Sequence, residues 1–352
     1  MVRASLIWLN YNSSSFIDIA LRSIESALSL DFDDYEVIVV DNASSDGSFE
    51  RIRKFIEERK PGNVRVRFVR SDVNRGYAGG MNLGWEARDP ETKYVAFLNN
   101  DVILELNSLR ELIDYMEGDD KLAAVNGLLY LGGTKRICSV GGYVTEHWYW
   151  GSICWGGFEH ECPSINKPHY VTYAEGAYML VKAETIRRAG PDGKPFIDET
   201  FLYLDDTLLG LILWNKGYKV AYVPIKAGYH YHGLTTKPIV NYYVARASTA
   251  MVEILNTRFS RTKQFYLLRR KIGYKALCAI NDKYCKAYDG FHDGKLLAKH
   301  IINKLGHKLN IYKAPYAKLN YSEIILYDYL SLTTLLNRYL FITYDKITYH
   351  NQ

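Results

Sequence analysis

The chain has 352 residues and a net charge of +5, with 48% hydrophobic and 24% charged residues. This composition is typical of a folded globular protein and excludes a disordered chain. The length favours one large domain with an appendage, or two domains. No run of about eighteen uncharged apolar residues occurs, and the first residues carry no signal-peptide pattern. We therefore expect a cytoplasmic protein without a membrane-spanning helix.

The five cysteines form neither an even framework nor a CxxC pair. They are Cys138, Cys154, Cys162, Cys278 and Cys285. This pattern predicts reduced, inert thiols.

Positive charge is concentrated towards the C-terminus. Residues 258–318 contain fifteen Lys and Arg, three Asp and no Glu, a balance of +12, so the rest of the chain sums to −7. Such a basic segment indicates an anionic surface or an anionic partner.

Apolar runs alternate with helical periodicities along the first half of the chain. Strands are predicted over residues 5–9, 35–40, 64–69 and 94–98, with a helix after each, the second ended by Pro61. This alternation predicts an α/β fold with right-handed crossovers. Residues 132–168 show no clean period and read as a functional loop or lid. Aromatic side chains there either stack on a ligand or fill the core, namely Trp148, Trp150 and Trp155.

A regular pattern of apolar residues resumes after residue 173. A strand is predicted over 174–182 and a helix over 183–189. A second helix begins at Asp205 and is capped by Gly217, and a strand over 218–223 is ended by Pro224. From about residue 238 the pattern is helical, basic and rich in tyrosine.

Polar residues follow three of the predicted parallel strands, at Asn10 and Asn12, at Asp41, and at Asn99 to Asp101. Strand-end turns are the alternative, but the carboxyl ends of parallel strands share the sheet edge at which α/β proteins bind ligands. Asp41 is placed to accept a hydrogen bond from a base or ribose hydroxyl. Asp101 offers oxygen to Mg²⁺ or Mn²⁺ on a diphosphate. A glycine-rich turn over residues 76–80 lets the backbone approach such a ligand.

Several blocks in the expected order resemble the signature blocks of family 2 glycosyltransferases, most closely the rhamnosyltransferase-like branch. They are Asp41-Asn-Ala-Ser-Ser-Asp-Gly-Ser48, Asn74-Arg-Gly-Tyr-Ala-Gly-Gly-Met-Asn-Leu-Gly84, Phe97-Leu-Asn-Asn-Asp-Val102, Glu175-Gly-Ala177, Phe201-Leu-Tyr-Leu-Asp-Asp206 and Gly217-Tyr-Lys-Val-Ala-Tyr-Val-Pro224. The resemblance covers roughly residues 1–246. It implies a GT-A fold with a mixed, mainly parallel sheet flanked by helices, a nucleotide-diphospho-sugar donor, a divalent Mn²⁺ or Mg²⁺ and inversion at the anomeric carbon.

Carried over motif by motif, the resemblance implies a set of site residues. The nucleotide-sugar side comprises Asn10, Asn12, Asp41, Asn42, Ser44, Asn74, Arg75, Gly76, Gly79, Asn82, Asn99, Asn100 and Asp101. The acceptor or sugar side comprises Glu175, Gly176, Trp150 and Arg246. The metal ligands are Asp101 and His230, with His232 competing for the same register. Four positions depart from the family pattern. Asn99 stands where the family has Asp, and Asp205 stands where it has Glu. Leu208 stands where the family has Asp, and Ala247 stands where it has Asn.

Asp206 is the candidate general base, with Asp205 beside it. Displacement of a nucleoside diphosphate by a hydroxyl needs a carboxylate to take the proton from that hydroxyl. The alternative is a helix N-cap, for which Asp is also favoured. Both roles fit if Asp205 is the cap and Asp206 faces the cavity.

These expectations divide the chain into a catalytic domain over 1–237 and a basic helical region over 238–352. The nucleotide-sugar half runs to about residue 103 and the acceptor half from about 104 to 237. The acceptor is a glycan, lipid-linked or protein-linked hydroxyl. The C-terminal region either lies on an anionic membrane at its inner face or packs on the catalytic domain or a second subunit, and nucleic acid is disfavoured as a partner. The alternatives are an inactive nucleotide-sugar-binding relative and a nucleotidyltransferase, although residues 10–16 lack the basic cluster that the latter needs.

Overall fold

A computed structural model describes residues 2–59, 62, 64–234, 240–281, 284–325 and 342–349. The strands are β1 (Ala4–Asn10), β2 (Tyr35–Asp41), β3 (Arg65–Arg70), β4 (Tyr94–Asn99), β5 (Val102–Leu104), β6 (Leu122–Leu131), β7 (Ile137–Ser139), β8 (Gly142–Val144), β9 (Trp150–Ser152), β10 (His169–Tyr170), β11 (Tyr178–Lys182), β12 (Lys219–His230), β13 (Leu255–Asn256), β14 (Leu309–Asn310), β15 (Tyr316–Ala317) and β16 (Ile347–Thr348). The α-helices are α1 (Ile17–Leu28), α2 (Ser48–Arg59), α3 (Gly76–Ala87), α4 (Ser108–Glu117), α5 (Ala183–Ala189), α6 (Asp205–Asn215), α7 (Val240–Ile254), α8 (Lys263–Ile280) and α9 (Cys285–Leu305).

A ten-stranded mixed sheet forms the centre of the molecule. Its order is β10-β12-β6-β11-β4-β1-β2-β3, with β5 paired to β12 and β7 to β6. The strands β4, β1, β2 and β3 are mutually parallel, whereas β11 runs antiparallel to both of its neighbours. The α/β fold predicted from the sequence, a mainly parallel sheet flanked by helices, is confirmed.

The register of the parallel strands brings three polar strand ends to one edge. Asn10 pairs with Asp41 across β1 and β2, and Leu9 pairs with Asn99 across β1 and β4. Consecutive residues point to opposite faces of the sheet, so Ile7 joins one hydrophobic core while Trp8 joins the other. Both faces are covered by helices, which explains why these strands are almost continuously apolar.

The structure differs from the sequence predictions at two elements. β12 continues through Pro224 to His230, because residues 223–225 bulge out of the ladder with β6 and a bulge tolerates a proline. Residues 132–168 are not an irregular loop, since they contain three short strands and much of their aromatic content is buried.

The prediction of five reduced thiols is wrong for four of them. Disulfides join Cys154 to Cys162 and Cys278 to Cys285, with Cα atoms 5.9 and 4.4 Å apart, and only Cys138 is a free, buried thiol. Each pair closes a short loop whose turn brings the two Cα atoms within bridging range, which spacing alone does not reveal.

The C-terminal helices pack on the sheet-containing part and share its core. Tyr266 of α8 lies 5.2 Å from the ring of Trp148, and the Thr172 hydroxyl donates to the carbonyl of Pro315. None of the helices among the described residues combines the length and the apolar character needed to cross a bilayer. The predicted domain boundary at residues 237–238 lies outside the described residues, as does Pro61, so the division into domains stays a prediction.

Candidate active site

A cavity of about 520 Å³ opens at the carboxyl ends of β1, β2 and β4. Twelve of the residues proposed from the sequence line it, from both sides of the predicted site. They are Asn42, Asn74, Gly76, Asn99, Asn100, Asp101, Trp150, Glu175, Gly176, Asp205, Asp206 and His230. Side chains more than 160 residues apart in the chain therefore meet in one pocket.

Eight predicted residues lie outside the cavity lining. They are Asn10, Asn12, Asp41, Ser44, Arg75, Gly79, Asn82 and Arg246. Asn10, Asp41 and Ser44 form a buried polar layer beneath the strand ends, with the half-buried Asn12 at its margin. Asn10 Nδ2 donates to Asp41 Oδ1 at 3.1 Å, and Asn100 Nδ2 donates to Asn10 Oδ1 at 3.1 Å. This layer links Asp41 to the cavity wall through Asn10 and Asn100.

Two of the outer residues tie elements together. Arg246 of α7 donates to the carbonyls of Glu199 and Thr200, in the turn that leads to Asp205. Asn82 of α3 donates to Asp198 Oδ1 at 2.6 Å in the same turn. Their contacts are those of residues that position the turn, and neither side chain lines the cavity.

Asn42 holds the loop between β3 and α3. Its Nδ2 donates to Asn74 Oδ1 and to the carbonyl of Gly76, both at 2.9 Å, and its Oδ1 accepts from the Arg75 N–H. The helix begins at Gly76 itself, so residues 76–80 form a helix start rather than the predicted turn. Gly76 has φ +68°, and a Cβ there would lie 2.0 Å from the carbonyl oxygen of Phe201. Only glycine fits this close approach.

The segment before α6 has a strained backbone. Phe201, Tyr203 and Leu204 have φ angles of 61°, 63° and 72°, in the left-handed region that residues with a Cβ rarely adopt. Such strain costs of order 1 kcal/mol or more per residue and persists only where the surroundings hold it, often at functional sites. All three residues line the cavity, and the next residue is Asp205.

Asp205 and Asp206 are the first two residues of α6, and Leu204 occupies the N-cap position. The proposed capping role is therefore wrong for both aspartates. Asp206 Oδ2 accepts from the Gly176 N–H at 3.0 Å, and Oδ1 accepts from the Thr207 N–H at 2.7 Å. Burial raises the pKa of Asp206, although these hydrogen bonds oppose the shift. Burial and the charge of Asp206 raise the pKa of Asp205 well above its usual value.

Glu175 lies in the same wall of the cavity. Its Oε1 accepts a hydrogen bond from the Ser152 hydroxyl at 2.6 Å. Burial and the nearby Asp206 raise the pKa of Glu175 to about 7. Gly176 links the neighbouring groups, since its carbonyl accepts from the Tyr77 hydroxyl at 2.7 Å while its N–H binds Asp206.

Asp101, His230 and Cys138 form a buried chain across the strand ends. Asp101 Oδ1 lies 3.2 Å from His230 Nε2, and His230 Nδ1 lies 3.5 Å from Cys138 Sγ. No aligned hydrogen bond reaches that Asp101 oxygen. Burial alone would lower the pKa of His230, but the carboxylate of Asp101 outweighs it and raises that pKa well above 6.5. His232 also lines the cavity, but its ring contacts Trp155 and His230, and burial lowers its pKa to about 4.

The three tryptophans of residues 132–168 lie in two different environments. Trp150 and Trp155 line the cavity, whereas Trp148 is buried and its Nε1 donates to the carbonyl of Leu255 at 3.4 Å. Trp148 therefore fills the core, and stacking on a ligand stays a prediction for Trp150 and Trp155.

Sequence reasoning missed the part of the wall that comes from the C-terminal helices. Asn241 and Ser248 of α7 line the cavity, as do Arg270 and Tyr274 of α8. The only signal in the sequence was the basic, tyrosine-rich composition of this region, which does not say which side chains turn inward. No cluster of three or more His, Cys, Asp or Glu able to hold a metal occurs within the described part of the chain.

Comparison with known proteins extends the resemblance. Residues 5–151 match the family model described as glycosyl transferase family 2. An uncharacterized glycosyltransferase of Nostoc sp. is 27% identical over 135 residues, which cover 38% of this chain and 39% of that protein. Poly-beta-1,6-N-acetyl-D-glucosamine synthase of Staphylococcus epidermidis is 31% identical over 117 residues, 33% of this chain and 26% of that protein. The chain thus spans well under half the length of these two relatives.

A solved structure shares the fold. GalNAc-T7, determined with UDP, GalNAc and Mn²⁺, superposes on 88% of this chain and 59% of its own with a TM-score of 0.56 and 14% identity. The fold is GT-A, as the resemblance implied. The match to the glycosyl transferase family 2 model over residues 5–151 and these glycosyltransferase relatives together support a family 2 glycosyltransferase on this GT-A fold.

Proposed function

We propose that the protein is an inverting glycosyltransferase that moves a hexosyl group from a nucleotide-diphospho-sugar to a hydroxyl of a glycan, lipid-linked or protein-linked acceptor. One observation carries the proposal: Asp101 and Asp206, the two carboxylates with opposite tasks in such a reaction, line one cavity. The assignment to the rhamnosyltransferase-like branch stays a prediction.

The strand-end side of the cavity suits the donor. Asn42 and Asn74 fix the loop that begins α3, whose positive dipole end favours a phosphate. The N–H groups of Gly76 and Ala78 already donate to Asn74 Oδ1 and to the carbonyl of Phe201, so a phosphate would have to use other donors there. Asn99 and Asn100 add amide groups beside Asp101. Asp41 lies behind this wall and binds Arg70 at 3.2 Å, so its predicted contact with the nucleotide needs a rearrangement of that ion pair.

Asp206 is the proposed general base. A base must carry its negative charge before it accepts a proton, and Asp206 accepts hydrogen bonds from Gly176 and Thr207 that favour the charged form. Burial and the charge of Asp206 raise the pKa of the neighbouring Asp205 well above its usual value, so Asp205 is the less suited of the two to act as the base. Neighbouring carboxyl groups whose environments separate their pKa values are the usual means of assigning acid and base.

A divalent metal fits the donor set at Asp101 and His230. The buried Asp101 Oδ1 without an aligned hydrogen bond and the imidazole Nε2 beside it would be the ligand atoms for Mn²⁺ or Mg²⁺, and the ion would have to displace the proton that Asp101 favours on His230. Two protein ligands leave positions for diphosphate oxygens and water. When bound there, the ion would neutralise charge on the departing diphosphate.

Two other functions remain open to test. An inactive nucleotide-sugar-binding relative would need no base, and the hydrogen-bonded Asp206 in the cavity wall disfavours it. A nucleotidyltransferase would turn over nucleoside triphosphates. The predicted homodimer stays a prediction.

The test is a panel of nucleotide sugars screened for protection against thermal unfolding, with and without Mn²⁺. We expect one donor class to raise the melting temperature, more so with Mn²⁺, and Asp101→Ala to remove the dependence on Mn²⁺. Proton NMR of the product then gives its anomeric configuration. A nucleoside triphosphate that protects and is turned over, with no response to nucleotide sugars, would overturn the proposal.

A further inference from the structure

Helix α8 has two apolar faces, and one of them is exposed. Tyr266, Leu267, Arg270 and Tyr274 point inward and are buried. The opposite side carries four large apolar side chains that are largely exposed, which we call the α8 stripe: Phe265 (73% exposed), Leu268 (55%), Ile272 (60%) and Ile280 (80%). At 3.6 residues per turn these positions lie along one side of the helix.

The stripe is a concentrated feature of the surface. Across the described residues, eleven large apolar side chains are exposed, and four of them lie on this one helix. The stripe extends over roughly 22 Å at the rise of an α-helix. Single exposed apolar residues are ordinary, but a contiguous row marks a surface that binds something.

The charges around the stripe identify the kind of partner. α8 contains no Asp or Glu. Projected on a helical wheel, Lys275 and Lys271 follow one flank of the stripe, whereas Arg269 lies between Phe265 and Ile280 and packs over the Tyr266 ring. The surrounding segment, residues 258–318, carries a balance of +12. An apolar stripe beside a row of cations, on a helix without acidic residues, is the pattern of a helix that lies in a membrane interface with its cations at the level of anionic headgroups.

We propose that α8 docks on an anionic phospholipid surface, with the α8 stripe at the boundary between headgroups and acyl chains. This surface is separate from the transfer chemistry. The inward face of the same helix supplies Arg270 and Tyr274 to the cavity wall, so docking sets that wall against the bilayer.

The test is flotation of the full-length protein with vesicles of phosphatidylcholine, with or without phosphatidylglycerol. We expect the protein to float with the anionic vesicles. Phe265→Ser/Leu268→Ser/Ile272→Ser should lower the partition coefficient about tenfold or more, since each side chain loses its apolar burial. Lys271→Glu/Lys275→Glu should lower it about 25-fold on anionic vesicles only, since each cation lost costs about fivefold.

The matched control is Val73→Ser/Leu106→Ser, which removes apolar side chains of similar exposure (60% and 58%) from the catalytic part and should leave flotation unchanged. The substituted side chains are exposed except Lys271, which is half-buried, so an unchanged melting temperature checks that each variant is folded.

Three results would overturn the proposal. The first is a wild-type protein that stays in the soluble fraction in the presence of anionic vesicles. The second is a stripe variant that floats like wild type. The third is concentration-dependent self-association that the stripe variant abolishes while vesicle binding is absent, which assigns the stripe to a second copy. Protection by a nucleotide sugar without flotation would refute docking and leave the proposed function intact.

Discussion

Asp206 and Asp205 are adjacent in sequence but differ in what stabilises their charge. Asp206 accepts hydrogen bonds from Gly176, which lies thirty positions earlier, and from Thr207. Asp205 is buried beside the charge of Asp206. The interactions that lower its pKa are hydrogen bonds from the backbone of residues 205 and 206. The pair therefore has one member suited to accept a proton and one suited to keep one.

The dependence of transfer on pH follows from this pair. Burial raises the pKa of Asp206, and only its charged form can act as base, so the rate should rise with pH through that raised pKa. We expect the acidic limb of kcat/KM to lie above the usual carboxyl pKa of about 3.9. The check is the pH profile at constant ionic strength. An acidic limb at or below that value would contradict the assignment.

Glu175 should make stability fall as pH rises from about 4.5 to about 7. Its pKa in the folded protein is raised from 4.5 to about 7, so its favourable contribution is present below pH 4.5 and is lost as pH rises through about 7. Glu175→Gln should therefore stabilise the protein at pH 8, by of order 1–3 kcal/mol, and change little at pH 4.

Melting temperatures of wild type and Glu175→Gln at both pH values check this expectation. The control is Glu57→Gln, on the exposed side of α2, which should have no effect at either pH. Stabilisation by Glu175→Gln that is equal at pH 4 and pH 8 would refute it.

At the scale of elements, the contact between Gly76 and Phe201 joins the donor loop to the strained segment before α6. Gly76→Ala would place a Cβ 2.0 Å from the Phe201 carbonyl oxygen, so residues 201–204 must move and carry Asp206 with them. A shift of this size at a catalytic group typically costs about 10–100-fold in rate. Initial rates of transfer measure the effect.

Gly133→Ala is the matched control for that substitution. Gly133 has φ +73°, close to the φ of Gly76, but a Cβ there would meet nothing within 4 Å. It therefore imposes the same backbone strain without the collision. Equal rates for the two variants would show that the contact with Phe201 does not position the base.

The Cys154–Cys162 disulfide closes an eight-residue loop in the wall that carries Trp155. Closing a loop of this length stabilises a protein by about 2–3 kcal/mol, so Cys154→Ser/Cys162→Ser should lower the melting temperature. Alkylation of the unfolded, unreduced protein followed by mass spectrometry should label Cys138 alone. Labelling of all five cysteines without reductant would contradict the pairing.

The sequence is a good guide to elements whose pattern is local. β1 to β4 were predicted to within one residue at each end, because each is an unbroken apolar run that ends in a polar residue or turn. The sequence prediction ends β12 at Pro224, whereas the strand continues to His230 through a bulge. A bulge depends on the partner strand, so the sequence of one strand does not reveal it. The disulfides were missed for a similar reason, as loop shape decides whether two cysteines meet.

For the candidate site, twelve predicted residues line one cavity, whereas five others from the same recognisable blocks lie outside its lining, namely Asp41, Ser44, Arg75, Gly79 and Asn82. Arg270 and Tyr274 were not predicted, because their inward direction depends on how α8 packs against Trp148 and its neighbours. A basic composition indicates that cations are present, but the packing of α8 decides which of them is buried in the cavity wall.

At the scale of the whole molecule, the cavity is closed by both parts of the chain. The sheet supplies the strand ends, α6 supplies the aspartates, and α7 and α8 complete the wall. The C-terminal helices share a hydrophobic core with the sheet-containing part, so they are a structural component of the site as well as a surface for partners.

The central claim is that one cavity binds an activated sugar through its diphosphate while Asp206 takes the proton from the acceptor. Its most direct test compares Asp206→Asn with wild type for both transfer and donor affinity, with the donor identified by thermal protection. Transfer should fall by about 10²–10⁴-fold, while the donor Kd by titration calorimetry stays within about twofold. Transfer at the wild-type rate, or loss of donor binding together with transfer, would contradict the claim.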